Sequence, residues 1–235
     1  MPRADSTVLL IGVGGLGCPA AQILAQSGVG TLVLVDDDVV SISNLHRQIL
    51  FDEADVGCAK GPIAADKLRA MGAHVEIHET RFLPENAEDL LQGVDLIVEG
   101  ADNLATKFLA ADAAQVCQLP IVHAGAVRWG GWALASDHKV DEHSPCLRCL
   151  FEDVPASQVD NCEFAGVVGP VVGALGSLEA LLALRLLDGE DSGGTLFRLD
   201  GLRASLRETR FRSRPDCPHS RGEIQTLTRS RYAAP

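Results

Sequence analysis

The sequence predicts an α/β fold: an open, mostly parallel, doubly wound sheet with antiparallel strands added in its C-terminal part. Three observations carry that expectation. Short apolar runs alternate with Ala-rich helical segments from Thr7 to His123, the pattern left by right-handed strand–helix–strand crossovers. A glycine-rich turn joins the first apolar run to the first helical segment. From Ala126 onward the alternation stops, and Arg128-Trp129-Gly130-Gly131-Trp132 and the segment Leu196 to Phe211 read as antiparallel additions.

Val8 to Ile11 is an apolar run feeding Gly12-Val13-Gly14-Gly15-Leu16-Gly17, and an Ala-rich helical pattern follows. Strand, tight turn and helix in that order make a phosphate cradle. Gly12 permits the turn, Gly14 lets backbone N–H groups approach an anion, and Gly17 lets the helix lie close to the strand, with Gly15 counted beside them among the nucleotide-binding residues. The next strand, Thr31 to Val35, ends in Asp36, 19 residues beyond Gly17, the spacing at which a carboxylate reaches a ribose. This unit is therefore Rossmann-like and expects a nucleotide.

A polar block, Ser41 to Gln48, stands where a dinucleotide-binding dehydrogenase would begin another helix. Beyond it a helix is expected over Lys60 to Met71, a strand over Ala73 to Glu79, a buried strand over Val94 to Val98, a helix over Leu104 to Gln118 and a strand beginning at Ile121 to His123. Ligands of such a sheet lie beyond the C-terminal ends of its strands. The most apolar run, Gly166 to Leu187, carries Glu179 and Arg185 in its middle, which marks a buried or interface helix rather than a membrane span.

With 235 residues and no Gly/Ser/Pro-rich linker, the chain reads as one domain, 1–235: a nucleotide-binding part over about 7–125, then a part over about 126–235 holding the CxxC and the antiparallel strands. Its formal charge of −12 argues against a nucleic-acid surface. The charge is uneven, with eight arginines against three acids from Arg203 onward. Seven scattered cysteines, and an N-terminus that enters a strand with no signal-peptide pattern, point to a reducing, cytoplasmic setting and to metal or thiol chemistry rather than a disulfide scaffold.

GVGGLG, VDDDVVSISNLHRQ, ADN, a CxxC and a late cysteine, in that order from about Thr7 to Cys217, together resemble the ThiF/MoeB/HesA family. Those relatives of the ubiquitin-activating enzymes adenylate the C-terminal glycine of a ubiquitin-like sulfur carrier, in thiamin- and molybdopterin-type sulfur transfer. Carboxylates are poor electrophiles, so attack on the α-phosphate of ATP, with loss of pyrophosphate, supplies a leaving group. The site must hold the triphosphate and Mg²⁺, offset developing charge and present the carboxylate in line. Arg47 and Lys60 are the cations expected at the phosphates, the first as a fork and the second as a point charge. Asn44 and Gln48 would orient them or bind the nucleotide, and Asp102 would hold Mg²⁺. The resemblance supports the same positions, Asp36, Asn44, Arg47, Gln48, Lys60 and Asp102, and adds Asp38. Lys107 stands where relatives carry arginine.

Cys146-Leu147-Arg148-Cys149 is a metal knuckle by spacing, and the family closes its zinc site with a second CxxC. Here the late stretch reads Cys217-Pro218-His219-Ser220. Ser220, a poor zinc ligand, takes the place of the fourth cysteine, with His219 one residue away. Two readings stand: zinc on Cys146, Cys149, Cys217 and His219, or a metal-free knuckle kept by packing. Cys162, in Asp160 to Gly166, falls where relatives place the thiol that attacks or sulfurises the activated C-terminus. Cys18, Cys58 and Cys117 read as small core residues or bystanders.

The resemblance also implies a homodimer, through the small-residue helix Gly169 to Leu187, and as partners a carrier ending in Gly-Gly and a sulfurtransferase. Relatives place an N-terminal arginine in the partner's nucleotide site, and here Arg3 is the sole nearby cation. Two other functions share parts of the pattern. A family fold that only holds a carrier or peptide would keep the motifs without turnover. A nicotinamide oxidoreductase would rest on Gly12, Gly14, Gly17 and Asp36 alone.

Overall fold

The computed structural model describes residues 2–140, 144–153, 166–190 and 193–232. One eight-stranded sheet runs through them in the order β3-β2-β1-β4-β5-β6-β7-β8. The strands are β1 (Thr7–Ile11), β2 (Thr31–Val35), β3 (Val75–His78), β4 (Leu96–Glu99), β5 (Pro120–Val127), β6 (Gly130–Asp137), β7 (Thr195–Asp200) and β8 (Ser205–Arg210). The first five are parallel, and β5 to β8 form an antiparallel meander. The helices are α1 (Gly17–Gln26), α2 (Lys60–Ala70), α3 (Ala87–Leu90), α4 (Leu104–Val116), α5 (Leu147–Phe151), α6 (Gly169–Leu187) and α7 (Arg229–Tyr232). The predicted Rossmann-like, doubly wound sheet with antiparallel additions is what forms. The short α3, α5 and α7 had no signal, because four or five residues are too few to show a period.

Both faces of the sheet are covered, which is why its central strands are apolar without alternation. Val8, Leu10, Leu32, Leu34 and Val98 face α1, α2 and α6, with Leu24, Leu68 and Leu175 packed onto them. Leu9, Ile11, Val33, Val35 and Ile97 face the other way, onto Phe108, Leu109 and Leu147 of α4 and α5. Each such buried Leu or Ile contributes about 1.5–3 kcal/mol. Strand β1 pairs with β2 on one side and β4 on the other. The order therefore reverses between β1 and β4, and a crevice opens beyond their C-terminal ends.

Helix α6 is long and apolar enough to cross a membrane by length and composition, yet it packs against α1, β4, β5 and β6 inside the fold. Glu179 at its centre is fully buried, and among the described residues neither carboxylate oxygen has a side-chain partner. Burial holds its carboxyl well above the usual range. A carboxyl raised in the folded state binds a proton that the unfolded chain has already released, so it lowers stability as pH rises above the ordinary carboxylate range. Glu179→Gln is therefore expected to raise Tm more at pH 8 than at pH 5, measured by calorimetry at both pH values.

Candidate active site

The crevice is a cleft of about 940 Å³ at the C-terminal ends of β1, β2 and β4. Its floor is the glycine turn. Gly12 has φ +85°, a conformation other residues rarely adopt. At Gly17 a Cβ would stand 2.0 Å from the Gly12 carbonyl, so only glycine lets α1 approach β1. The N–H of Val13 is taken by Asp36 Oδ2 at 2.7 Å. Among the described residues, the N–H groups of Gly14, Gly15 and Leu16 have no acceptor, and all three residues line the cleft. Three free donors at the positive end of a ten-residue helix form an anion cradle.

Asp36 also accepts the Asp38 N–H at 2.9 Å, and burial nonetheless raises its carboxyl above the usual range. Lys60 opens α2 with its side chain buried and its Nζ 2.5 Å from Asp38 Oδ2. Partial burial pushes Asp38 upward, but the Lys60 hydrogen bond and charge hold it below the usual range. Arg47 lies over the turn, its Cγ 3.4 Å from where a Cβ on Gly15 would be. Asn44 Oδ1 accepts from Arg47 Nη2 at 2.7 Å, and Arg47 Nη1 reaches the Ser43 carbonyl at 3.4 Å. Gln48 is buried beside Gly14, and among the described residues its Oε1 has no partner.

Asp102 follows β4 where Gly12 meets Ala101, at 3.4 Å from a Cβ on Gly12. It is exposed in the cleft, while its neighbour Asn103 caps α4 through the Thr106 N–H at 2.8 Å. Cradle, cations and carboxylate thus converge: Gly12, Gly14, Gly15, Asp36, Asp38, Arg47, Gln48, Lys60 and Asp102 all line one cleft. Gly17 and Asn44 do not line it; the first sets the packing and the second holds Arg47.

Beneath the far end of the cleft lies a buried ionic cluster that sequence reading missed. Glu99 Oε2 accepts from Lys107 Nζ at 2.9 Å and lies 3.2 Å from His123 Nδ1. Lys107 Nζ also donates to the Ala124 carbonyl and sits 5.9 Å from the Trp132 ring centroid. Burial opposes the Glu99 charge, but Lys107 and His123 hold it below the usual range, while burial keeps His123 neutral. The lysine at the family's arginine position is therefore a buried tie between β4, β5 and Trp132. Arg81, paired with Asp37 at 2.9 Å, and the following Phe82 line the other end, beyond β3. No motif announced either group, because contacts across strands leave no spacing in the sequence.

The cysteine knuckle is assembled as its spacing predicted. Cys146 Sγ is 3.7 Å from both Cys149 Sγ and Cys217 Sγ, close to the separation of two sulfurs on one tetrahedral metal at about 2.3 Å. Hydrogen bonding from Cys146 holds the Cys149 thiol far below its usual range and pushes Cys146 up. Such a crowded set can ionise together only around a cation. His219 Nδ1 lies 3.2 Å from Cys146 Sγ, and its Nε2 is 2.9 Å from Asp112 Oδ1. A histidine oriented by a carboxylate behind it is the usual arrangement for a metal ligand. Asp112, fully buried on α4, also accepts from Arg148 Nε and Nη2 at 2.7 and 2.9 Å and from the Tyr232 hydroxyl at 2.7 Å.

Cys162 lies outside the described residues. Cys18 is buried and Cys117 half-buried; Cys58 is exposed. Arg3 donates to Asp188 Oδ1 at 2.7 Å, at the opposite end of the sheet from the cleft. It serves as a tie between the N-terminal segment and the end of α6.

A model of the ThiF family matches residues 4–219. The adenylyltransferase and sulfurtransferase MOCS3 of Mus musculus is 42% identical over 232 residues, covering 96% of this chain and 50% of that protein. The MOCS3 of Dictyostelium discoideum is 36% identical over 234 residues, covering 97% of this chain and 54% of that protein. The chain thus spans about half the length of the curated relatives it matches. Among solved structures, E. coli MccB with ATP superposes with a TM-score of 0.74 at 22% identity, over 92% of this chain and 66% of that one. PaaA superposes with a TM-score of 0.72 at 24% identity, over 88% of this chain and 64% of that one. At those identities the likeness speaks for the fold.

Proposed function

The chain belongs to the ThiF family, and on that footing we propose that it is an ATP-dependent adenylyltransferase acting on the C-terminal glycine carboxylate of a ubiquitin-like sulfur carrier. The observation that carries this reading is the convergence on one cleft of three acceptor-free N–H groups, Arg47, Lys60 and Asp102. Relatives named adenylyltransferase support the activity, and the structure of E. coli MccB with ATP, which shares the fold, supports the nucleotide. A nicotinamide enzyme would use the cradle and a phosphate-binding cation, but it has no need of Asp102 as a Mg²⁺ ligand.

The cradle and α1 N-terminus bind phosphate oxygens, and Asp36 accepts from the ribose hydroxyls. Asp102 would hold Mg²⁺, which would supply positive charge to offset the polyphosphate. One oxygen of the carrier's terminal carboxylate attacks the α-phosphorus, the bond to the β-phosphate oxygen breaks, and pyrophosphate leaves with that electron pair. Arg47 and Lys60 offset the charge that builds on the phosphate oxygens, and each is pre-positioned, by Asn44 and Asp38 respectively. Incubation of the chain with ATP, Mg²⁺ and a Gly-Gly-ending carrier should increase the carrier's intact mass by one AMP, lost again on mild base; an unchanged mass overturns the reading.

Zinc on Cys146, Cys149, Cys217 and His219 would be structural, bracing the knuckle against α4. The protein as purified should contain stoichiometric zinc by elemental analysis. His219→Ala should weaken it beyond the about 10–100-fold typical of losing an outer partner; unchanged affinity would favour the metal-free knuckle. Helix α6 exposes Pro170, Ala174 and Leu181 along one face, and these small and apolar residues suit the homodimer contact.

A further inference from the structure

Beyond the cleft, the antiparallel extension carries a feature that the fold alone does not require. Arg198 on β7 stands directly opposite Arg207 on β8, and Trp132 on β6 stands directly opposite Arg198. Residues so paired share one face of the sheet. Trp132 lines the cleft and packs on Phe151, with ring centroids 5.2 Å apart and planes tilted at 49°. One continuous row therefore leads from the cleft to the sheet edge and ends in two exposed arginines.

Like charges directly opposite each other destabilise a sheet. Among the described residues neither arginine has an ion pair, and Asp200, the acid on the same face of β7, is taken by Arg203 at 3.0 Å. At the cleft end of the same strands the two hairpin turns meet, with the Gly201 N–H on the Trp129 carbonyl at 2.7 Å. There Trp129 and Leu202 are 50% and 73% exposed. Tryptophan and arginine are the residue types enriched at interface centres over ordinary surface. The chain as a whole carries −12, so an acidic protein is repelled elsewhere and drawn to this face.

We propose that the Trp132–Arg198–Arg207 row docks an acidic face on the globular body of the carrier whose C-terminal tail enters the cleft, an inference that rests on the function proposed above. The cleft would then read the tail, while the row sets affinity for the folded body. The arginines touch no nucleotide-binding residue, so they act on KM and leave the chemical step alone.

The test is pyrophosphate exchange as a function of substrate concentration, comparing wild type with R198E/R207E. Two kinds of substrate are used: intact ubiquitin-fold carriers ending in Gly-Gly, and a short synthetic peptide of the tail alone. Glu opposite Glu repeats the original like-charge repulsion on an exposed strand, so folding is matched. For the intact carrier, KM should rise about tenfold or more with kcat unchanged. Added salt should raise KM in the wild type and less in the variant. The tail peptide should be used equally by both proteins. An unaltered KM for every intact carrier overturns the docking row, and so does an equal loss with the tail peptide. Absence of carrier-dependent exchange in the wild type overturns the proposed function, and the docking row with it.

Discussion

Asp102→Ala is expected to lower kcat for carrier-dependent pyrophosphate exchange by about 10²–10³-fold or more while leaving folding stability within about 0.5 kcal/mol of wild type. The separation of the two effects follows from the local structure. Asn103, not Asp102, caps α4, and Asp102 lies exposed in the cleft with no hydrogen bond among the described residues. Its carboxylate thus carries no structural burden. It stands beside the point where Gly12 and Ala101 touch, next to the free N–H groups of the cradle, and a carboxylate there has the oxygen chemistry for Mg²⁺. Steady-state exchange and a thermal melt on one preparation check both halves. A parallel fall in Tm would make Asp102 a structural residue; unchanged kcat would remove it from the site.

Asp112→Ala should be the most destabilising single change in the chain, by about 3–5 kcal/mol, or roughly 6–20 °C in Tm. Asp112 is fully buried, as is Arg148, and the two are joined by a two-pronged contact. Burial opposes the Asp112 charge, yet His219 and Arg148 together hold it below the usual carboxylate range. Truncation leaves the buried guanidinium with the exposed Asp153, at 2.8 Å, as its remaining counter-charge among the described residues, and leaves His219 Nε2 and the Tyr232 hydroxyl without their acceptor. Arg148→Met in the same chain should recover part of the loss, because it removes a buried charge that has lost its buried partner. Thermal denaturation of the two single variants and the double variant measures this; a loss below about 1 kcal/mol for Asp112→Ala contradicts the role given to the network.

Legibility in the sequence followed distance along the chain. The cradle, Asp36, Arg47, Gln48, Lys60 and Asp102 lie within or just after predicted elements, where local spacing fixes position, and all of them line the cleft. The knuckle was readable for the same reason at Cys146 and Cys149. His219 had to be weighed against Ser220, and what favours it is Asp112, 107 positions away along the chain. The buried clusters had no such signal. Glu99, Lys107 and His123 sit on β4, α4 and β5 and meet only because β4 pairs with β5, Glu99 opposite His123. Arg81 enters the cleft because β3 lies beside β2. Each is an ordinary charged residue in sequence and acquires its partner from topology. Arg3, the sole cation near the first strand, likewise takes its partner from topology: Asp188, 185 positions away at the end of α6.

The central claim is that the cleft activates a carrier's carboxylate with ATP, and ATP–pyrophosphate exchange with labelled pyrophosphate tests it most directly. The purified chain is assayed with a panel of Gly-Gly-ending carriers, and with the same carriers lacking the terminal glycine. The account predicts exchange that appears only with an intact carrier and disappears with the truncated one. Exchange at the same rate without any carrier, or none with every carrier despite bound ATP, would contradict it.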